Sequence, residues 1–195
     1  MSRPLYDSEV WSTVDNEDLW LFDKLILSRK LGHLCGPIGV EVPSPGYYMV
    51  RPCVNLLGMS LGASIEYIDN YTDHLPTGYF WQEIFTGRHL SIDYEDGKQI
   101  RCTEGFRNED NVQRFDRWVV CSDIIDLPNE LQQIVKKYRF VNIEMIGGKI
   151  IEVHLRGNPD FDDDAIEIIP LWKKDGYTFV RDSDGDRIGF FKRYR

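Results

Sequence analysis

Apolar positions recur at helical spacing in two places and at strand spacing over most of the rest of the chain. Leu19, Phe22, Ile26 and Leu27, with Leu31 one turn on, predict an amphipathic helix over 18–33 that ends at Gly32. Pro43, Pro45 and Gly46 then break the chain. A short apolar run predicts a buried strand over 47–50, ended by Pro52. A loop over 55–64 contains Gly58 and Gly62 and leads into a strand over 65–68. After a connection over 69–78, strands are predicted over 79–85, 89–94 and 98–104, the last two joined at Glu95-Asp96-Gly97. Residues 105–116 are polar and read as a mobile loop before a strand over 118–121. Leu131, Ile134 and Val135 set a second helix over 128–138. An acidic loop over 158–164 and strands over 166–169, 177–180 and 187–192 close the chain. Residues 1–17 show no period and read as a loose arm. Helix, strands, helix, strands predicts an α+β chain with mostly antiparallel sheet.

The pattern is sharpest over 142–156. Two apolar strands flank Gly147-Gly148, the signal for a tight hairpin. In a regular two-residue hairpin Ile146 faces Lys149 and Ile143 faces Glu152. Glu144 and Glu152 then lie a pleat step apart, and an irregularity would bring both carboxylates to one ion. With His154 and Asn158 at the exit of the second strand, the group suits Mg²⁺, which takes hard oxygen ligands in an octahedron. Two like charges this close would repel in the empty site. The same two residues could also be solvent-facing strand glutamates.

Composition narrows the function classes. The 195 residues are 42% hydrophobic and 13% aromatic, enough for a substantial core in one domain or two small ones. No window approaches ~18 continuous apolar residues, and the first residues lack a signal-peptide core, so a cytoplasmic protein without a membrane span is expected. Cys35, Cys53, Cys102 and Cys121 lack metal-ligand or disulfide-framework spacing and read as reduced thiols. A net charge of −9 opposes direct binding to a nucleic-acid backbone, but not to a nucleotide whose phosphates a metal and a few cations neutralise. Asp182-Ser183-Asp184-Gly185-Asp186 lacks the distal Glu of a calcium loop and reads as a charged turn. The acidic run Asp162-Asp163-Asp164 reads as a solvated loop.

Four segments together resemble a known family. Asp23-Lys24, a helix ending at Gly32, and Gly39-Val40-Glu41-Val42-Pro43 are similar to the opening of the ATP-grasp domain. Met49-Val50-Arg51-Pro52 resembles its next strand, which normally ends Val-Lys-Pro, and 55–63 takes the place of its phosphate-covering loop. The run from Trp81-Gln82-Glu83-Ile84-Phe85 to His89 resembles its adenine-holding hinge, usually Gln-Glu-Phe-Ile-x-Gly-x-Glu. The 142–156 hairpin resembles its metal strands, whose second ends in Glu-x-Asn. The resemblance covers about residues 18–160. It implies two α+β subdomains clamping a nucleotide: a single domain over 18–195, with a smaller part near 45–85 and a larger near 86–195.

By the resemblance, ATP would phosphorylate a carboxylate, and an amine or thiol would attack the acyl phosphate. Lys24 and Arg51 would hold the α- and β-phosphates under the loop containing Gly58 and Gly62. Gln82, Glu83 and Phe85 would frame adenine, and His89 the ribose. Glu144, Glu152 and His154 would hold Mg²⁺ or Mn²⁺, and Arg156 would steady the transferred phosphate. Arg51 replaces the family's Lys, His89 its ribose-binding Glu, His154 its metal-binding Asn and Glu144 its Asp. A planar guanidinium is not equivalent to an ammonium, and imidazole favours Mn²⁺ over Mg²⁺. Most members carry a further N-terminal domain that helps bind the acceptor. About twenty residues precede Asp23-Lys24 here, so the acceptor site is expected from a second copy, a partner subunit or a substrate that is itself a protein. Two other readings stay open: a nucleotide-binding or interaction module that has lost chemistry, and a noncatalytic viral or assembly scaffold.

Overall fold

The computed structural model describes residues 6–56, 61–108, 111–161, 164–172 and 187–195. Two sheets, antiparallel throughout, form an α+β fold. The smaller runs, in spatial order, β1 (Cys35–Pro37), β4 (Tyr79–Gln82), β2 (Gly46–Pro52) and β3 (Ser64–Ile68). The larger runs β11 (Arg187–Tyr194), β10 (Ala165–Trp172), β7 (Asn111–Cys121), β6 (Lys98–Asn108), β5 (His89–Glu95), β8 (Phe140–Ile146) and β9 (Lys149–His154). Among the described residues the α-helices are α1 (Asp7–Val10), α2 (Lys24–Lys30) and α3 (Asn129–Lys137). None is long and apolar enough to cross a membrane. All four cysteines are free.

Alternation sorts the larger sheet into two faces. Leu90 and Ile92 of β5, Val141, Ile143 and Met145 of β8, and Ile150 and Val153 of β9 form one core with Leu27 of α2 and Leu131, Ile134 and Val135 of α3. The opposite face of the same strands is polar and still buried: His89, Ser91 and Asp93 of β5, Thr103 of β6, Asn142 of β8 and His154 of β9. A buried polar face is costly unless its groups satisfy one another, so it marks where the fold spends stability on something besides packing. The smaller sheet has a separate core of Val42, Tyr48, Val50, Ile68, Leu75 and Trp81.

Several expected elements change form. The helix over 18–33 divides into a 3₁₀ segment, Asn16–Phe22, and α2. Asp23 is the reason: its carboxylate accepts from the amides of Leu25 and Ile26, a cap of about 1 kcal/mol that starts the α-helix at Lys24. The described part of the arm is not loose, because Val14 is buried in the main core and Val10 packs against it. The expected loop over 105–116 lies largely within the paired hairpin of β6 and β7. Gly105 lets Trp118 and Phe115 lie across β6, since a Cβ there would meet their rings at 2.8 Å. β4 stops at Gln82, three residues earlier than expected. The expected strand over 177–180 and the acidic turn over 182–186 lie outside the described residues, as do Asp162 and Asp163.

The hairpin departs from the regular register in one place. Ile146 faces Lys149 and Met145 faces Ile150, but Glu144 faces Glu152, and Val153 rather than Glu152 faces Ile143. Ile151 is the extra residue of a β-bulge. Without it Glu152 would share the apolar face of Ile143; one inserted residue moves it to the polar face beside Glu144. Gly147 and Gly148 have φ of 55° and 82°, the left-handed conformation the turn requires. At Gly147 a Cβ would also meet the Thr86 carbonyl oxygen at 2.0 Å, while at Gly148 it meets nothing within 4 Å. Gly148→Ala should cost about 1 kcal/mol from backbone strain alone. Gly147→Ala should cost clearly more and displace the segment at Thr86. Equal destabilisation of the two variants in urea melts would show that the packing at Thr86 yields freely.

Candidate functional site

A cleft of about 220 Å³ opens between the two sheets. The smaller sheet contributes Met49, Arg51, Ile65 and Gln82 to its walls. The larger contributes Arg107, Ile146, Ile151 and Glu152, and Lys24 closes one side from the start of α2. The linker after β4 supplies Glu83, Ile84, Phe85 and Gly87. Lys24, Arg51, Gln82, Glu83, Phe85 and Glu152, scattered over 129 residues of sequence, therefore share one wall or another of a single space.

Arg51 ties the two sheets together. Its Nη2 donates to Gln82 Oε1 (2.8 Å) and to the carbonyl of Ile151 (3.2 Å), the bulged residue of β9. Its guanidinium lies over the Phe80 ring at 5.2 Å, and Nη1 sits 3.5 Å from Glu152 Oε1. Burial pulls its pKa down, with Glu152 the largest opposing influence. Arg51 Nε is buried with no hydrogen-bond partner, so the strongest donor set in the cleft is not fully used. Gln82 also approaches His33 (3.4 Å), which stacks edge-on against Phe85. Burial and nearby Lys149 lower the pKa of His33, favouring the neutral ring. Gln82 thus lines the cleft while its carbonyl orients Arg51.

Glu152 sits among cations. Lys24 Nζ is 3.5 Å from Oε2 and His154 Nε2 is 3.3 Å from the same atom. Burial would raise its pKa, but Lys24, His154 and Arg51 outweigh that and hold the carboxyl well below the usual range. His154 is likewise charged against burial: Asp7, hydrogen-bonded to Nδ1 at 2.6 Å, and Glu152 push it up to about 9. Glu144 accepts from His89 Nε2 at 3.1 Å, and its pKa is lowered, burial and Glu152 opposing, His89 prevailing.

The remaining expected residues fall in four places. His89 is buried beneath the cleft rather than on it; Arg107 Nη2 donates to its Nδ1 (2.9 Å), so Nε2 carries the proton toward Glu144. Phe115 and Trp118 flank its ring at 5.0 and 5.3 Å. It contacts Glu144 and Arg107 and is not among the residues lining the cleft. His154 sets both ring nitrogens against carboxylates, Nδ1 on Asp7 at 2.6 Å and Nε2 3.3 Å from Glu152. Glu144, Glu152 and His154 are neighbours across the ladder, but among the described residues the trio whose ligand atoms all lie within 4.8 Å is Asp15, Glu17 and Asp18, and Lys137 Nζ already occupies that trio at 2.6–2.9 Å. Arg156 is buried away from the cleft, with Nη1 donating to the Gly157 carbonyl and Nε 3.5 Å from Asp7. Gly62 makes room for the Tyr79 hydroxyl, which a Cβ would meet at 2.4 Å; its neighbours Leu61 and Ala63 line the cleft instead. Gly58 lies outside the described residues.

Two participants escaped the sequence reading. Arg107 follows Thr103 and Gly105 on one face of β6, so strand alternation extended past 104 would have found it. Asp7 reaches His154 across 147 residues of sequence, and nothing in its local pattern announces that. A third group steadies the site from below. Asp93, buried, accepts from Arg101 Nε (3.1 Å), Asn142 Nδ2 (3.1 Å) and the amide of Asn158 (2.7 Å), pinning the chain as it leaves β9.

No family model matches this sequence, and no curated protein matches it. Solved structures do. A protein of Archaeoglobus fulgidus assigned to the ATP-grasp superfamily superposes with a TM-score of 0.52 at 17% identity, over 90% of this chain. D-alanine–D-alanine ligase of Bacillus anthracis gives 0.38 at 19% over 70%, and the L-amino acid ligase of Bacillus licheniformis 0.43 at 11% over 72%; similarities this low add nothing to the assignment. The chain spans 64%, 57% and 41% of the lengths of these three proteins. Two antiparallel sheets enclosing one cleft, and a superposition covering nearly the whole chain, identify its architecture as the ATP-grasp fold.

Proposed function

We propose that this protein binds ATP in the cleft between its sheets and uses it to activate a carboxylate as an acyl phosphate, for attack by an amine or thiol. The observation that carries the reading is the cationic floor of the cleft. Lys24 and Arg51, each 6% exposed, and Arg107 converge there on Glu144 and Glu152. Cations buried this deeply need anions, and Arg51 still has an unused donor. A polyphosphate supplies both charge and acceptors. Met49, Ile65, Ile84 and Ile146 offer the apolar walls a purine would need.

The residues also fit a divalent cation. Glu144 and Glu152 are hard oxygen donors opposite each other on β8 and β9, and would hold Mg²⁺ or Mn²⁺. When bound, such an ion neutralises charge between phosphates and lets an otherwise repelled carboxylate approach. Phosphate oxygens would compete with Glu152 for Lys24 and Arg51, freeing Glu152 to face the ion. His89 would keep Glu144 oriented, and His154 would keep Glu152 ionised. Gln82 would hold the guanidinium of Arg51 in plane with the phosphates, and the backbone of Glu83–Phe85 would meet adenine, since the Glu83 carboxylate is engaged by the Leu34 amide.

One observation favours a second reading, a nucleotide-binding module without chemistry: the position expected to complete the metal site is a histidine whose Nδ1 is held by Asp7 at 2.6 Å. Calorimetry with ATP and each metal tests the shared part. Micromolar to millimolar binding that strengthens with metal is expected; no binding at millimolar nucleotide in a folded sample sinks both. Hydroxylamine trapping with a panel of carboxylic acids separates them, because only an acyl phosphate yields a hydroxamate.

A further inference from the structure

Asp7 is 1% exposed, the most deeply buried carboxylate among the described residues, and it is the only buried residue of α1. A four-residue helix is thus seated by a buried charge at its start as well as by Val10 at its end, which packs against the main core. Burying a carboxylate is unfavourable unless cations already require an anion at that spot. Arg156 is the cation there and His154 Nδ1 meets the same carboxylate, and both lie on the chain that runs out of β9 directly after Glu152. Only half of the carboxylate is well used. Oδ2 accepts from His154 Nδ1 at 2.6 Å, but Oδ1 and Arg156 Nε, 3.5 Å apart, are both buried without a hydrogen-bond partner. Arginine normally takes a carboxylate with two parallel bonds, so this pairing has the character of a stand-in. A small void lined by Asp7, His154, Lys24, Glu152 and Asn55 places Asp7 next to the nucleotide cleft, with Lys24 and Glu152 bordering both spaces.

We propose that His154 and Arg156 form a carboxylate-binding site, and that Asp7 occupies it as an intramolecular latch which a carboxylate ligand displaces. The inference rests on the ATP-dependent reading only in naming that ligand as the carboxylate to be activated; the site itself follows from the ion pairs. An incoming carboxylate gains the paired geometry on Arg156 that Asp7 lacks, and releasing α1 gives up one short turn of helix and the contact of Val10 with the core. The latch also lowers apparent affinity for any ligand of the site, because only the open fraction is competent.

The test uses the full chain and acetate as the probe, with chloride at equal ionic strength as the control. In the parent, saturating acetate should raise amide hydrogen exchange across 7–13 by about tenfold while leaving the β5 and β8 amides protected. Asp7→Asn, which keeps the shape and removes the charge, should bind acetate about tenfold more tightly than the parent. Arg156→Gln should abolish the acetate effect. Exchange over 7–13 that ignores bound acetate, or that responds equally to chloride, overturns the latch. So does an Asp7→Asn variant that binds acetate no better than the parent, or failure of both proteins to bind it at all. If Asp7→Asn does not fold, the exchange experiment on the parent decides alone. Calorimetry with ATP and Mg²⁺ on the same samples separates the two ideas. ATP binding without an acetate response overturns the latch and leaves the nucleotide reading standing. Acetate-driven release of the arm without ATP binding supports the latch and overturns the nucleotide reading.

Discussion

Glu152→Gln should destabilise the metal-free protein by about 3 kcal/mol, the cost of leaving buried cations without their partner. The sequence alone argues for the opposite sign, since two glutamates across a hairpin repel and removing one charge should help. The structure reverses this. Lys24, Arg51 and His154 all lie within 3.5 Å of Glu152, so its carboxylate neutralises more charge than it opposes. The pH dependence follows. The folded Glu152 titrates well below its unfolded value of about 4.3, so its contribution is present above that value and is lost as pH falls. The gap between parent and variant, measured by urea melts with a chelator present, should therefore be full at neutral pH and close in acid. A variant as stable as the parent at pH 7 would show that the three cations find other partners or that Glu152 is not the centre of the cluster. The variant should also lose the metal-dependent part of any thermal stabilisation by ATP, since linkage acts only through binding to the native state. ATP alone, meeting Lys24 and Arg51 without a competing carboxylate, should bind the variant at least as well as it binds the parent.

Arg51→Met should weaken nucleotide binding by roughly 10- to 100-fold, matching the 1.5–3 kcal/mol of a charge-assisted contact. It should also lower stability by about 3 kcal/mol, because Glu152, Gln82 and the Ile151 carbonyl all lose a partner and the tie between β2 and β9 is cut. Arg51→Lys separates the two effects. It restores a charge near Glu152 but cannot reach Gln82 and Ile151 together, so stability should recover partly and affinity should follow the charge. Affinity for ATP that is unchanged in a folded Arg51→Met variant would make Arg51 a structural tie alone.

Periodicity located the second helix almost to the residue, because Leu131, Ile134 and Val135 bury one face and nothing interrupts it. It failed where local chemistry overrode a period. Asp23 restarts a helix that the apolar spacing runs through without a break. The paired ends of β6 and β7 looked like a loop because the run is rich in polar residues and the partners of each strand lie on the other. β1 was missed because three residues carry no period at all. The site shows the same division. Lys24, Arg51, Gln82, Glu83, Phe85, Glu144 and Glu152 were singled out from ordered motifs and the hairpin, and the fold gathers them around one cleft or directly beneath it. The contacts that His89, His154 and Arg156 make, with Arg107 and Glu144 or with Asp7, are ones no spacing encodes.

Residue types and their local spacing were enough to set what each segment can do by itself. Alternation decides which residues share a sheet face, glycines decide where a chain can turn left-handed, and Asp23 decides where a helix begins. Those are interactions between near neighbours, and the information for them is contiguous. Which charges neutralise which is not contiguous. Glu152 changes from a repelled carboxylate to a stabilising one because Lys24 and Arg51 arrive from more than 100 residues away and Ile151 bulges the strand beneath it. Asp7 becomes a buried counter-ion because the fold lays the arm against the exit of β9. Electrostatic energies depend on distance in space and on the water excluded around each group, and both are fixed only when the two sheets close on each other.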